Sequence, residues 1–467
     1  MLQLPFTLDA GRGAPLYQQL YESLVAQIRS GELAAGTKLP GKRSLAAQLA
    51  IGVNTVDTAY QMLVAEGYLE SRPKSGFYVL EISEPLAPAA PAAPLRPEAA
   101  PEAPPQFDLS TGSVDTALFP FRTWGRIQKG LLYDAPELLL HGHRQGDREL
   151  REAIRDYLAT YRGVVCDPEQ MVVGAGVEYL LGLAAHLLKG GVAAIENPGY
   201  RRVRTILENS DLPCRCVSID EGGLNLSALE QSGANLCCVT PSHHFPTGVT
   251  MPAGRRGQLL RWATAAPGRY IIEDDYDAEF RFDTRPLPSL QGLGGQSGPV
   301  IYLSTFSKSL APSIRIACMV LPPDLLGRYR DTYGTYANTV SRFEQQTLCR
   351  FLQGGYFTRH LSRMRSAYKS RMEALCAALE RTFGRERLSL QGRHNGLHLL
   401  LSLRDGPGEA EMVRAARDEG VKLTGLSTYY MEHPASCPEH TVILGYAGLR
   451  DSDIPALAAA LGRAWGA

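Results

Sequence analysis

In residues 15–30, PLYQQLYESLVAQIRS, apolar side chains recur at every fourth place, Leu16, Leu20, Leu24 and Ile28, which marks the buried face of a helix. Gly31 and Gly36 close it. A short helical run begins at Lys42-Arg43-Ser44 and reaches Ala50, breaks at Ile51-Gly52, and resumes from Asn54 to about Glu66. Gly67 follows, in the position after a helix where glycine is commonest. Two extended runs, residues 68–70 and 76–80, flank a turn at Pro73-Lys74-Ser75. Three helices and a β-hairpin are predicted, with the second and third helices about three residues apart.

Residues 85–105 read PLAPAAPAAPLRPEAAPEAPP. Proline fixes the backbone angle and removes amide donors, while alanine and glutamate bury little, so this stretch makes an extended spacer and no core. The chain is expected to divide into residues 1–80, a linker over 81–106, and a larger unit over 107–467. In that unit apolar runs at residues 171–173, 192–196, 236–240, 270–273, 300–304 and 316–321 alternate with helical stretches. Continuous apolar strands separated by helices predict an α/β fold around a mostly parallel sheet covered on both faces.

At 467 residues the chain is too long for one ordinary core. Its 48 Lys+Arg balance 48 Asp+Glu, so any basic face is local. The first 80 residues hold seven Lys+Arg against six Asp+Glu, and nucleic-acid affinity there has to come from placement. The nine cysteines show no Cys-x-x-Cys or paired His-Cys spacing, so buried free thiols are expected and no metal. The opening MLQLPFTLDAGRG lacks a basic start followed by an apolar core, and no run approaches the roughly 18 apolar residues of a membrane span. A cytoplasmic protein without a membrane partner is expected.

Helix, tight turn, helix is the geometry that seats a recognition helix in the DNA major groove. Arg72, Lys74 and Ser75 on the hairpin turn suit phosphate or minor-groove contact. Geometry alone fits a small helical docking domain nearly as well. The run KLPGKRSLAAQLAIGVNTVDTAYQMLVAEGYLESRPKSGFYV carries Leu39-Pro40, Arg43, Leu45-Ala46, Asn54-Thr55-Val56, Ala59-Tyr60, Leu63, Glu66-Gly67-Tyr68 and Gly76-Phe77. With these it resembles the winged helix of GntR-type regulators. The resemblance implies promoter DNA as a partner, contacted by Arg43, Asn54, Thr55, Arg72 and Lys74, with helix interior the other reading of Thr55. Gly52 and Val53 depart from that family, whose recognition helix usually opens with a hydroxyl residue and an arginine. Asp57 stands where a basic residue is common, and an acid facing phosphate lowers affinity, so modest binding per half-site is expected.

Residues 302–315, YLSTFSKSLAPSIR, set a lysine just past a buried strand, among hydroxyls, with an arginine seven residues on. That suits an aldehyde carrying a phosphate. Lys308 can form the Schiff base while Thr305, Ser307 and Arg315 bind the phosphate. Alone, a lysine at a strand end is more often a solvated side chain. Other strand ends change that balance. Residues 270–273 run into Asp274-Asp275-Tyr276, where a carboxylate needs a cationic partner such as a protonated pyridine nitrogen. Tyr276 can donate to the phenolic oxygen of the same ring. Gly174-Ala175-Gly176-Val177-Glu178 opens a helix as a phosphate cradle, and Asn197-Pro198-Gly199-Tyr200 presents an aromatic face.

These motifs resemble fold-type I aminotransferases. The pieces ENPGYRR, TPSHHFPTG, IEDDYDAEFRF and STFSKSLAPSIR together are similar to the MocR subfamily of GntR regulators, in which winged helix, linker and aminotransferase-like domain occur in this order. The resemblance implies pyridoxal 5′-phosphate as cofactor, held by Lys308 as Schiff-base lysine, Asp274 at the ring nitrogen, Tyr276 at the ring oxygen, Tyr200 stacked on the ring and Arg315 on the phosphate. Asp274 is preferred to Asp275 only on its spacing to the tyrosine. Arg202 is the candidate for an effector's acid group. A homodimer is implied, domain-swapped head to tail.

Three departures bear on function. Phe245-Pro246-Thr247-Gly248 replaces the Asn-Pro-x-Gly of many aminotransferases, leaving His243 or His244 as a substitute for the asparagine at the ring oxygen, or as turn packing. His141 stands where aminotransferases often supply a tyrosine to the neighbouring subunit. Residues 442–447, VILGYA, carry no cation where aminotransferases place the arginine for a substrate α-carboxylate. The expected function is a transcriptional regulator whose pocket senses a small molecule, either the cofactor itself or an amine or amino acid, with at most a residual aminotransferase-type half-reaction. A working aminotransferase with an accessory N-terminal domain is the alternative, and an adaptor with a vestigial pocket the third.

Overall fold

A computed structural model describes residues 8, 13–82, 104–283, 287–432 and 436–466. Most of the expected linker, residues 83–103, lies outside the described residues. The chain forms two compact units, residues 1–102 and 103–467.

In the first unit α1 spans Leu16–Ser30, α2 Lys42–Leu49 and α3 Val53–Ala65, followed by an antiparallel hairpin of β1, Leu69–Arg72, and β2, Gly76–Val79. Leu20, Leu24 and Ile28 of α1 share one core with Leu45, Val56, Ala59, Tyr60 and Leu63. Gly31, at φ 82°, ends α1 in the left-handed region. Between α2 and α3 the chain turns through Ala50, also left-handed, and Gly52. The Tyr60 hydroxyl donates to Pro40 O at 2.9 Å and its ring meets Phe77 edge-on at 4.8 Å, which locks α3 to the hairpin. Truncating Leu24 to alanine would cost this small core roughly 2–5 kcal/mol.

The second unit is built on an eight-stranded sheet. Its spatial order is Met171–Gly174, Ala317–Val320, Val300–Thr305, Tyr270–Asp275, Leu236–Val239, Ala193–Asn197, Cys214–Asp220 and Gly223–Leu224. Five consecutive strands, from Val300–Thr305 to Cys214–Asp220, pair in parallel; Ala317–Val320 runs against both its neighbours. Alternate residues go to opposite faces. Val172, Ile272, Leu303 and Met319 pack in one core with helix Val177–Leu187, while Val173, Tyr302 and Cys318 face helices Arg148–Arg162 and Arg342–Gln353. A second, antiparallel sheet of Leu388–Gln391, His398–Leu403, Thr441–Gly445 and Thr424–Gly425 packs on the 28-residue helix Tyr356–Phe383 and on Ile454–Trp465. All nine cysteines are free; five are buried and four half-buried, so the expectation of buried thiols holds for five.

Candidate functional site

Parallel strands end in loops on one side, and ligands of such sheets lie there. A cavity of about 280 Å³ opens at those carboxyl ends. Strand Val300–Thr305 delivers Thr305, Ser307 and Lys308 to it, and strand Tyr270–Asp275 delivers Asp274 and Tyr276. Val177, Tyr200, Arg202 and Arg315 complete the set expected from sequence, and Gly176 stands at its edge.

One end gathers a helix N-terminus, two hydroxyls and two arginines. Gly176 caps helix Val177–Leu187 at φ 98°, and a Cβ there would lie 2.6 Å from Arg315 Nη2, so only glycine fits. Arg315 Nη2 donates to Ala175 O at 3.0 Å. Thr305 Oγ1 accepts from Ser307 N at 3.1 Å, which turns both hydroxyls into the same loop. Glu178, not expected as a site residue, bridges the cations: its Oε1 accepts from Arg202 at 2.8 Å and its Oε2 lies 3.5 Å from Arg315. Its place in the first turn of the helix was legible; its partners, 24 and 137 residues on, were not.

The acidic end separates two neighbouring aspartates. Asp275 is buried on the far face, gripped by Arg162 at 2.6 and 3.1 Å and receiving the Tyr302 hydroxyl at 2.7 Å. Asp274 faces the cavity, and its Oδ1 is buried without a hydrogen-bond partner. Burial, then Asp275 and Asp277, raises its pKa to about 7. Behind it Glu196 accepts from Thr240 N at 3.0 Å and Oγ1 at 2.8 Å, and burial raises its pKa to about 8.

Between these ends, half-buried Lys308 donates from Nζ to Thr111 O, and desolvation lowers its pKa, partly opposed by Asp277. The Tyr276 hydroxyl lies 3.0 Å from His243 Nδ1. His244 turns away, with Nδ1 2.7 Å from Thr247 Oγ1. Of the two histidines, His243 is the one beside the tyrosine. His398, from the second sheet, also lines the cavity and carried no signal in sequence. Phe245 stands edge-on to Tyr200 at 5.7 Å and to Tyr429 at 4.8 Å, giving the cavity an aromatic wall.

In the first unit Arg43, Asn54, Arg72 and Lys74 are exposed and Thr55 is half-buried. Arg72 is tethered to Glu70 at 2.8 Å and its guanidinium lies 4.5 Å from the Tyr78 ring centre. Lys74, at φ 60°, tips the hairpin. Asp57 forms an ion pair with Lys42, whose nearness lowers the carboxyl's pKa. The acid on α3 thus occupies a cation of α2.

Residues 16–79 match the family of bacterial regulatory proteins named gntR, and residues 104–461 match class I and II aminotransferases. The probable rhizopine catabolism regulatory protein MocR of Rhizobium meliloti is 34% identical, over 95% of this chain and 92% of its own. The chain belongs to the MocR-type branch of the GntR regulators. The HTH-type transcriptional regulator YdeL of Bacillus subtilis, described as uncharacterized, is 40% identical over 94% of each chain. The pyridoxine biosynthesis transcriptional regulator PdxR of Corynebacterium glutamicum is 31% identical over 97% of this chain and 96% of its own. Among solved structures, Pyrococcus horikoshii kynurenine aminotransferase, in complex with PMP, superposes with a TM-score of 0.67 at 24% identity, covering 77% of this chain and 90% of that one. LysN of Thermus thermophilus, an α-aminoadipate aminotransferase complexed with N-(5′-phosphopyridoxyl)-L-leucine, gives 0.66 at 25%, over 77% and 91%. In this MocR-type chain residues 442–445 of the VILGYA stretch lie in strand Thr441–Gly445 and Tyr446 just past it: Ile443 packs with Leu400 and Leu426, and the Tyr446 hydroxyl donates to Gly396 O at 2.6 Å.

Proposed function

We propose that the chain is a pyridoxal 5′-phosphate-binding transcriptional regulator: the winged helix binds promoter DNA and the Lys308 cavity binds the cofactor and senses a small molecule. The observation that carries this is Asp274, a carboxylate at the cavity wall with one oxygen buried and unpartnered. A protonated ring nitrogen is the cation that satisfies it. The rest of the donor set fits the same group. Gly176, Val177, Thr305, Ser307 and Arg315 would hold the phosphate, Tyr200 would cover the ring face, and Tyr276 would donate to the ring oxygen. Lys308, its ammonium form disfavoured by desolvation, would offer an amine to the aldehyde. The cofactor when bound supplies a carbonyl that captures amines.

No cation stands at residues 442–447 for an α-carboxylate, and Arg202 already holds Glu178, which favours sensing over amino-acid turnover. Exposed apolar side chains at Phe121, Leu132, Tyr133, Leu139, Leu140 and Tyr336 support a homodimer, which the chain would form head to tail; Leu140 and Tyr336 line a 650 Å³ hollow with His141. Among the described residues no helix is long and apolar enough to cross a membrane.

The test is promoter binding by apo protein and by protein loaded with cofactor, without amino acid. A ligand shifts an equilibrium only through differential affinity, so cofactor sensing requires the two states to differ in affinity or footprint. Equal affinity and footprint exclude it and leave an amine as the signal. Loss of promoter binding on removal of residues 1–80, with the cofactor spectrum kept, assigns the two functions to the two units.

A further inference from the structure

Tyr276 does not reach the cavity alone. Its hydroxyl lies 3.0 Å from His243 Nδ1, and the same nitrogen lies 2.8 Å from Asp277 Oδ2. Both His243 and Asp277 are 2% exposed, so this triangle is part of the buried frame. The ring of His243 is fitted closely. A Cβ on Gly396 would stand 1.8 Å from its Cε1, and one on Gly248 3.4 Å from its Nε2. His243 Nε2 is buried without a hydrogen-bond partner. A carboxylate beside Nδ1 can only accept, so the proton belongs on Nδ1 and the lone pair on Nε2.

We propose that His243, oriented by Asp277, is a positioning residue that strengthens the Tyr276 hydroxyl as a hydrogen-bond donor to the cofactor's ring oxygen, and so lowers the pH at which the cofactor–lysine linkage loses its proton. The proposal rests on the cofactor reading above. The Nδ1–H sits between two oxygens and serves both. Donation into the tyrosine oxygen polarises its O–H bond, and hydrogen bonds in a chain strengthen one another away from water. A stronger donor stabilises negative charge on the ring oxygen, which then attracts less of the proton it shares with the linkage nitrogen. In this chain the residue opening the FPTG turn is Phe245, which has no side-chain donor, so the turn offers that oxygen no amide side chain and Tyr276 is the donor the proposal assigns to it.

Other charged groups face the triangle. Asp274 and Glu196 lie near Tyr276, and burial followed by Asp277, whose carboxylate also accepts a hydrogen bond from the tyrosine hydroxyl until a ring oxygen takes its place, raises the tyrosine's own pKa well above the usual value. His398, whose ring centre is 4.8 Å from that of His243, donates through Nε2 to Pro246 O; burial, then His243, lowers its pKa to about 3, so it stays neutral. His244 is neutral for the same reason. Lys308 and Tyr446 face Asp277. None of these places a second hydrogen-bond donor on the Tyr276 oxygen.

The experiment is a pH titration of the visible absorbance of cofactor-loaded full-length protein, for wild type, His243→Leu, His243→Asn, Tyr276→Phe and the double variant His243→Leu/Tyr276→Phe. His243→Leu should raise the midpoint by roughly half to one pH unit, the scale one hydrogen bond to a charged system supports. His243→Asn places an amide N–H near Nδ1 and should restore the wild-type midpoint. Tyr276→Phe should raise the midpoint too, and adding His243→Leu should add nothing, because the histidine acts through the hydroxyl. If His243→Leu holds no cofactor, His243→Gln replaces it, since its amide reaches the Nε2 position and the same upward shift is expected. An unmoved midpoint in these variants, or a full further shift on the Tyr276→Phe background, overturns the proposal. A colourless wild type after incubation with cofactor would instead defeat the cofactor reading itself.

Discussion

Arg162 holds Asp275 through two contacts, Nε to Oδ2 at 2.6 Å and Nη2 to Oδ1 at 3.1 Å, both side chains buried. This grip decides which of two adjacent acids faces the cavity. Removing one partner of a buried pair leaves an uncompensated charge, so Asp275→Ala should destabilise the larger unit by about 3–5 kcal/mol in urea unfolding. A loss under about 1 kcal/mol would show that the pair does not frame the site.

Asp274→Asn should behave in the opposite way in apo protein. The native carboxyl titrates near 7, above its unfolded value of about 3.9. Between those values the unfolded chain has lost the proton and the folded one keeps it. Wild type should therefore lose stability relative to Asp274→Asn as pH rises from about 4 to about 7, by a few kcal/mol at most, with a constant difference above that. Parallel pH profiles for the two proteins would contradict the assignment. Glu196 is itself raised in part by the Asp274 carboxylate, so its relaxation in Asp274→Asn belongs to the same pH-dependent difference.

Glu178 pairs with both Arg202 and Arg315 at the Gly176 end of the cavity. Its ion pairs are partly exposed, and such pairs contribute up to about 1 kcal/mol. Glu178→Gln should accordingly tighten cofactor binding by about two- to fivefold, read by absorbance titration. Unchanged or weaker binding would mean that the carboxylate does not compete with phosphate. Gly176→Ala, whose methyl would press on Arg315, should weaken binding by tenfold or more, as about 1–3 kcal/mol of backbone strain and a displaced guanidinium imply.

On the DNA side, Arg43→Ala should weaken specific and random DNA alike and lower the salt slope by about one. Asp57→Asn frees Lys42 from its ion pair and should do the reverse, raising affinity and steepening the slope by up to about one unit. An unaltered slope in either variant removes that residue from the phosphate contacts.

Local signals were legible wherever one segment carried them. The four-residue spacing of Leu16, Leu20, Leu24 and Ile28 specifies α1, and the order of strand, acid and tyrosine places Tyr276 at the cavity. The strand Cys214–Asp220 escaped sequence reading because its burial is partial and it borders the sheet's two-residue edge strand. Contacts between distant segments were also illegible: Glu178 with Arg315, Arg162 with Asp275, and His398 near His243 depend on which strand ends the fold brings together. The choice between His243 and His244 turned on side-chain direction within one turn, which composition does not encode.

The most direct test of the account is borohydride reduction of cofactor-incubated protein followed by peptide mapping. The expected result is a yellow protein whose reduced adduct maps to Lys308 and disappears in Lys308→Ala. A colourless protein, or an adduct spread over surface lysines with Lys308 unlabelled, would contradict it.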